Sequence, residues 1–397
     1  MSPLALSAYT ATSALGRGLE ATLSSLRSQR SGLAPCSFET VRLDTCVGEV
    51  AGVDEVSLPA ELAEFECRNN RLAWLALAQD DFSAAVARCA ARRGAERIGV
   101  FLGTSTSGIL ETERAYRARD PASGALPADF RYRGAHNIFS LAAFAQRALG
   151  LAGPAAVISC ACSSSAKVFA SAQRAIAAGL IDAAVVGGVD SLCLTTLYGF
   201  HSLQLVARTP CRPFDAARDG ISIGEAAAFA LLERTDERVD SNSVLLLGTG
   251  ESSDAWHMSA PAPDGRGARA AMLQALAAAA IEPSDIGYIN FHGTGTPSND
   301  AAEATAVASV LGREVPGSST KGATGHALGA AGALEAVICA LALREGLMPG
   351  GVTTSEVDPQ LPVNYLRENR AALLSHVMSN SFGFGGSNCC LILARAG

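Results

Sequence analysis

Residues 155–167 read Ala155-Ala156-Val157-Ile158-Ser159-Cys160-Ala161-Cys162-Ser163-Ser164-Ser165-Ala166-Lys167. An apolar run of strand length passes through a turn of small residues into an Ala-rich stretch, Ser163–Ala178, which reads as a helix with a capped start. That order places Cys162 at a helix N-terminus, where unpaired backbone N–H groups and the helix dipole favour a thiolate. The same amides can hold the oxyanion of a tetrahedral intermediate. Cys160, two positions earlier, reads as a strand residue with its side chain in the core. The nucleophile candidate is therefore Cys162.

The same alternation extends along the chain. Candidate strands are Arg97–Phe101, Ala155–Ser159, Ala183–Val186, Ser243–Gly248, Ile286–Phe291 and Cys389–Leu393. Between them fall candidate helices Asn70–Arg93, Ser163–Ala178, Gly267–Ala280, Asp300–Leu311 and Gly329–Arg344. Strands alternating with helices imply an α/β fold whose strands are mainly parallel. The polar stretch Glu233–Asn242 is the best internal boundary and divides the chain into halves 1–238 and 239–397. The halves echo each other: a strand leads to the Cys162 turn and an Ala-rich helix in the first, and Ser318-Ser319-Thr320 leads to a His326 turn and an Ala-rich helix in the second.

Composition narrows the function classes. The 397 residues are 49% hydrophobic and 17% charged, which suits a large core and a sizeable subunit interface. A net charge of −7 gives no electrostatic footprint for nucleic acid. The 11 cysteines show no framework spacing and no CxxC pair, so reduced thiols in a cytoplasmic protein are expected, with no structural zinc. Met1 to Gly16 has no basic lead of a signal peptide, and no run of about 18 apolar residues predicts a membrane span. A soluble protein is expected.

Two histidines share the setting of Cys162. His292 ends a candidate strand and enters His292-Gly293-Thr294-Gly295-Thr296, and His326 closes Lys321-Gly322-Ala323-Thr324-Gly325-His326. Glycines let backbone come close to a substrate, and α/β folds gather active sites at the C-terminal ends of strands. A thiol with two imidazoles is a kit for thioester chemistry. Lys167 and Lys321 are the only lysines in an arginine-rich chain. Lys321, beside His326, reads as a site residue that needs a compact ammonium. The segment Phe382-Gly383-Phe384-Gly385-Gly386-Ser387-Asn388 reads as a flexible aromatic loop that could complete an oxyanion hole and cover an apolar tunnel. A zinc site made of Cys162, His292 and His326 has no local ligand spacing to support it.

Taken together and in order, these segments resemble the elongating β-ketoacyl-acyl-carrier-protein synthases of the thiolase-like superfamily. The resemblance also covers Gly103–Gly108, Arg212–Asp215, Gly224-Glu225 and Asp254-Ala255-Trp256-His257-Met258. It implies a five-layered αβαβα fold of two similar halves. It also implies a decarboxylative Claisen condensation: Cys162 takes an acyl chain from acyl-carrier protein, and His292 and His326 promote decarboxylation of malonyl-carrier protein. The amides of Cys162 and Phe384 would form the oxyanion hole, and Lys321, paired with Glu303, would organise the histidines. Thr106, Phe382, Thr294, Thr296, Asp254, His257 and Ser259 fall at substrate-binding positions, with Thr106 where pocket depth is set. Arg68, Arg71, Arg131 and Arg133 are candidate contacts for the acidic carrier protein. No metal or organic cofactor is implied. The resemblance further implies a homodimer, or a heterodimer with a chain-length-factor-like subunit. The run Ser163–Ser165 departs from the sequence common after the nucleophile, which points to a polyene or polyketide pathway rather than housekeeping fatty-acid synthesis. Rival readings are a non-catalytic chain-length factor, a thiolase-type enzyme acting on coenzyme A thioesters, and a cysteine hydrolase. The first would lack Cys162, and the others do not call for two histidines with Lys321.

Overall fold

A computed structural model describes residues 2–235 and 243–396. The boundary at 238/239 therefore lies outside the described residues. Five strands of the first half, β1 (Leu4–Ser13), β2 (Ile98–Gly103), β3 (Ala155–Ile158), β4 (Ala183–Asp190) and β5 (Ala226–Arg234), lie in the order β3-β2-β4-β5-β1. Five of the second, β6 (Val244–Ser253), β7 (Tyr288–Asn290), β8 (Pro316–Ser318), β9 (His376–Gly383) and β10 (Ser387–Arg395), lie in the order β8-β7-β9-β10-β6. Strand direction repeats as well. β2 is parallel to β3 and β4, and β7 is parallel to β8 and β9, while the remaining pairs in each half are antiparallel. The two sets join where Leu4–Leu6 of β1 pairs with Val244–Leu246 of β6.

Strand alternation decides the layers, because successive side chains point to opposite faces. On β5, Ala226, Ala228, Ala230 and Leu232 join an inner core shared by both halves, whereas Ala227, Phe229 and Leu231 join an outer one. On β10, Cys389, Leu391 and Leu393 face the same inner core, and Cys390 and Ile392 face a third cluster. In the first half, helices α1 (Arg68–Leu77), α2 (Phe82–Arg93) and α3 (Ser140–Ala148) cover the outer face, and α4 (Ser164–Ala177) packs inside. In the second, α5 (Arg266–Ala279) and α6 (Pro297–Leu311) lie outside and α7 (Ala331–Glu345) inside. The result is the expected αβαβα sandwich with α4 and α7 as its middle layer. Helix α7 is buried from Ala331 to Leu343 and is apolar all round, apart from Glu335. No described helix is long and apolar enough to cross a membrane.

Several expected elements changed length. The single helix expected over Asn70–Arg93 is broken into α1 and α2, with Asp80 and Asp81 at φ of 55° and 53° between them. The Asp80 carboxylate accepts hydrogen bonds from Thr10 Oγ1 at 2.7 Å and from Leu19 N at 3.0 Å, a local alternative to continuing the helix. The flexible loop expected over Phe382–Asn388 is a tight β-hairpin: Phe382 pairs with Asn388 and Gly383 with Ser387, leaving only Phe384–Gly386 as the turn. Helix α4 has no side-chain cap; Ser163 Oγ turns instead to Ser387 Oγ and Cys160 O.

Close backbone approach seats α4 on the sheet. A Cβ at Gly103 would lie 2.4 Å from Ser165 N, so β2 meets the first turn of α4 only because residue 103 has no side chain. Gly103→Ala should lower unfolding stability by about 1–3 kcal/mol, read from the midpoint of denaturant unfolding; an unchanged midpoint would show that the contact is slack.

Candidate active site

Cys162 and His326 occupy matching places in the two halves, each between a strand (β3 or β8) and an inner helix (α4 or α7). Ala161, in the left-handed region at φ 58°, turns the chain so that the Cys162 side chain points into the molecule. Cys160 lies beyond the end of β3, half-buried rather than in the core, with its sulfur 3.5 Å from Ser163 Oγ. His292 comes from the loop after β7. Gly293 and Gly295 there take φ of 38° and 83°, which lets the loop fold back over the first turns of α6. Two carboxylates of α6 fix it: Glu303 accepts the N–H groups of His292 and Gly293, each at 2.8 Å, and Asp300 accepts those of Thr294 and Gly295.

The three side chains converge. His326 Nε2 is 3.1 Å from Cys162 Sγ, and the two imidazoles meet edge to face with ring centres 5.3 Å apart. All three are buried and line one cavity with Phe200, Phe382 and Phe384. Phe384 packs against Phe200 with ring centres 5.5 Å apart and planes tilted by 47°, and its backbone N–H favours the Cys162 thiolate. Asp254, Ser259, Thr294 and Thr296 line the same cavity. Asp254 also ties two loops together, accepting hydrogen bonds from Asn388 Nδ2 at 2.5 Å and Ala262 N at 2.8 Å.

Burial sets the charge states. It pushes the Cys162 thiol up to about 12, against the opposing pull of the Lys321 charge and the Phe384 N–H. Burial, then the Lys321 charge, holds both imidazoles well below the usual histidine range. The resting site is thus a neutral thiol beside two neutral rings, not the thiolate expected from the helix start. Desolvation outweighs the dipole here because Cys162 stands two residues ahead of α4, outside its first turn.

Lys321 departs from its expected partner. Its Nζ pairs with Glu335 of α7, donates to His292 O at 2.6 Å and lies 3.4 Å from His292 Nδ1. Glu303 is instead taken up by the His292 loop and by Asn380 Nδ2 at 3.1 Å. Its carboxyl is raised to about 7 by burial. Other expected residues fall elsewhere. Thr106 does not line the cavity; its hydroxyl donates to the buried Asp190 at 2.7 Å. His257 is exposed and its Nδ1 accepts from Ser259 N. Arg68 cannot meet a partner protein, being 1% exposed and held by Glu225, Asp54 and Glu49. Arg71 pairs with Glu66. Arg131 and Arg133 are exposed, and Arg131 donates to Ala63 O. Lys167 pairs with Glu251 at 3.5 Å, away from the cavity.

Glu335 escaped the sequence reading, although its signal was present. A single carboxylate inside the apolar run Ala331–Leu343 must find a buried partner. Asp300, three residues before Glu303 on α6, carried the matching signal for the His292 loop.

Comparison with known proteins now bears on this geometry. The N-terminal domain model of beta-ketoacyl synthases matches residues 1–238, and the C-terminal domain model matches 244–354. Nodulation protein E of Rhizobium meliloti is 36% identical over 307 residues, 74% of this chain and 75% of that protein. The 3-oxoacyl-[acyl-carrier-protein] synthase 2 of Coxiella burnetii is 34% identical over 316 residues, 76% of each. Among solved structures, a chain of the complex of a ketosynthase (ApeO) with its chain length factor (ApeC) from Xenorhabdus doucetiae superposes with a TM-score of 0.89 at 40% identity, covering 100% of this chain and 98% of that one. The ishigamide ketosynthase/chain length factor gives 0.88 at 26% identity, with 100% of both chains covered. Fold and site together define a condensing enzyme of the thiolase-like superfamily. Within it, this chain belongs to the beta-ketoacyl synthase family, and its activity is acyl transfer with carbon–carbon bond formation in fatty-acid or polyketide synthesis.

A thiol neutral at rest has a kinetic signature. Alkylation of Cys162 by iodoacetamide, followed by peptide mass, should rise about tenfold per pH unit above neutrality; a plateau near neutrality would mean that the thiol is already ionised.

Proposed function

We propose that Cys162 is the acyl-accepting nucleophile of this synthase and that His292 and His326 serve the decarboxylation. The observation that carries the assignment is the 3.1 Å contact between His326 Nε2 and Cys162 Sγ at the end of an aromatic-walled cavity. With the thiol proton held tightly and the imidazole only weakly basic, a preformed ion pair is uphill. Proton transfer from sulfur to His326 therefore accompanies attack on the acyl thioester instead of preceding it. The carrier thiolate leaves and takes the proton, which closes the first half-reaction.

In the second half-reaction malonyl-carrier protein enters. Its carboxylate loses hydration against Phe200, Phe382 and Phe384, which favours release of carbon dioxide. Lys321 Nζ beside His292 Nδ1 leaves that ring's proton on Nε2, so His292 is a donor to the thioester oxygen as the enolate forms. Acceptance of the thiol proton uses the Nδ1–H form of His326. Nδ1 has no hydrogen-bond partner among the described residues to hold that form, so once Cys162 is acylated the ring keeps its one proton on Nε2 and donates likewise. The enolate carbon attacks the acyl-Cys162 carbonyl, and the oxyanion is received by the amides of Cys162 and Phe384. Collapse releases the 3-oxoacyl product and the Cys162 thiolate, which takes one proton from solvent.

The carrier protein supplies both substrates in this scheme, and Arg131 and Arg133 remain as exposed basic positions for it. The protein works as a dimer, with a second copy or with a chain-length-factor-like subunit. Strand β3 supports a partner, because it is a sheet edge whose residues Ala155–Ile158 are only half-buried. We place the enzyme in the cytoplasm, in keeping with eleven unpaired cysteines. We also divide the chain into halves 1–238 and 239–397, which the repeated strand order supports.

Cys162→Ala should form no acyl adduct when incubated with acyl-carrier proteins and assayed by intact mass; condensation surviving in that variant would overturn the assignment. His326→Ala should still acylate at Cys162 but lose at least about 100-fold in carbon dioxide release from malonyl-carrier protein. Unchanged release would remove His326 from the decarboxylation step.

A further inference from the structure

Cys162, His292 and His326 form a metal-ligand set as well as a reaction site. Their sulfur and ring-nitrogen atoms all lie within 4.8 Å of one another, and all three residues are buried. Thiolate and imidazole are the donors zinc prefers, and around a tetrahedral ion such atoms sit roughly 3.5 Å apart. Small side-chain rotations would bring the trio to that spacing. The cavity of ≈ 50 Å³ also has room for an ion and a water, since a water needs only about 10–15 Å³. A free site of this composition would compete for zinc with its own substrates.

The residue that opposes capture is Lys321. Its ammonium lies 3.4 Å from His292 Nδ1 and is anchored by Glu335 and by His292 O. Held there, it makes Nδ1 the acceptor and leaves the ring proton on Nε2, so neither nitrogen offers a free lone pair. It also repels an incoming cation where little water screens the charge. We propose that Lys321 excludes divalent metals from the Cys162–His292–His326 cluster, by fixing His292 as a hydrogen-bond donor and by its own charge. Capture, where it occurs, exchanges the Cys162 thiol proton for the ion, with the proton leaving to solvent and no change of oxidation state. This role is separate from the acyl chemistry.

The test is titration of the full-length chain with cobalt chloride, repeated with zinc in competition. Cobalt held by a thiolate in a tetrahedral site shows a charge-transfer band and strong visible bands. Lys321→Met should bind one cobalt per chain with that spectrum, at least about 10-fold more tightly than the unaltered chain. Adding Cys162→Ala to it should abolish the spectrum, which separates this site from the remaining cysteines. Equal affinity and spectrum in the unaltered chain would overturn the proposal, as would a Lys321→Met variant that gains no cobalt spectrum. Lys321→Met leaves Glu335 buried without its partner. If that variant does not fold, Lys321→Met with Glu335→Gln carries the same measurement, because removing both charges together spares the structure. Metal uptake is read without acyl transfer, so failure here would leave the assignment of Cys162 as nucleophile standing.

Discussion

A buried ammonium governs the polar architecture of this protein. Lys321 is 1% exposed, and such a charge is tolerated in an interior only when partners meet it from several sides. Glu335 supplies the countercharge from the middle-layer helix, and the carbonyl of His292 supplies a further acceptor from the outer loop. The His292 loop, the Lys321 turn and the helix α7 are thereby pinned to one point. The position of the His292 ring follows from that point, and so does its choice of tautomer. Burial first, and then the same positive charge, lowers the basicity of both imidazoles, so that both rings are neutral at rest.

The duplicated strand order explains where this point lies. Each half ends a parallel strand in a turn that leads towards an inner helix, and the two inner helices pack together in the shared core. The turns therefore meet across the middle layer, one bringing a thiol and the other an imidazole. His292 is added from a strand that has its counterpart in β2, on the loop side of the second half. The aromatic hairpin between β9 and β10 closes the arrangement from above the sulfur.

Much of this was legible in the chain. Apolar runs bounded by small-residue turns gave the strands, and the Cys162, His292 and His326 turns stood out by glycine, serine and threonine content. Legibility failed where a long-range partner overrode local pattern. Asp80 broke a helix by answering Thr10 and Leu19, and Lys321 chose Glu335 over Glu303 because the Glu303 carboxylate was already claimed by two backbone amides and Asn380. Arg68 looked like a surface cation in a polar stretch, yet three carboxylates draw it inward. Periodicity cannot report such choices, since it carries no information about which distant group arrives.

The shared inner core bears on how the chain is made. Its wall includes Cys389, Leu391 and Leu393 on β10, which comes after every other described strand in the chain. Until those residues emerge, the inner faces of α4 and α7 stay partly uncovered, presenting apolar surface to any neighbouring nascent chain. Synthesis thus passes through a long sticky interval that lasts until β10 has emerged, and removing that strand would leave the shared core without one wall.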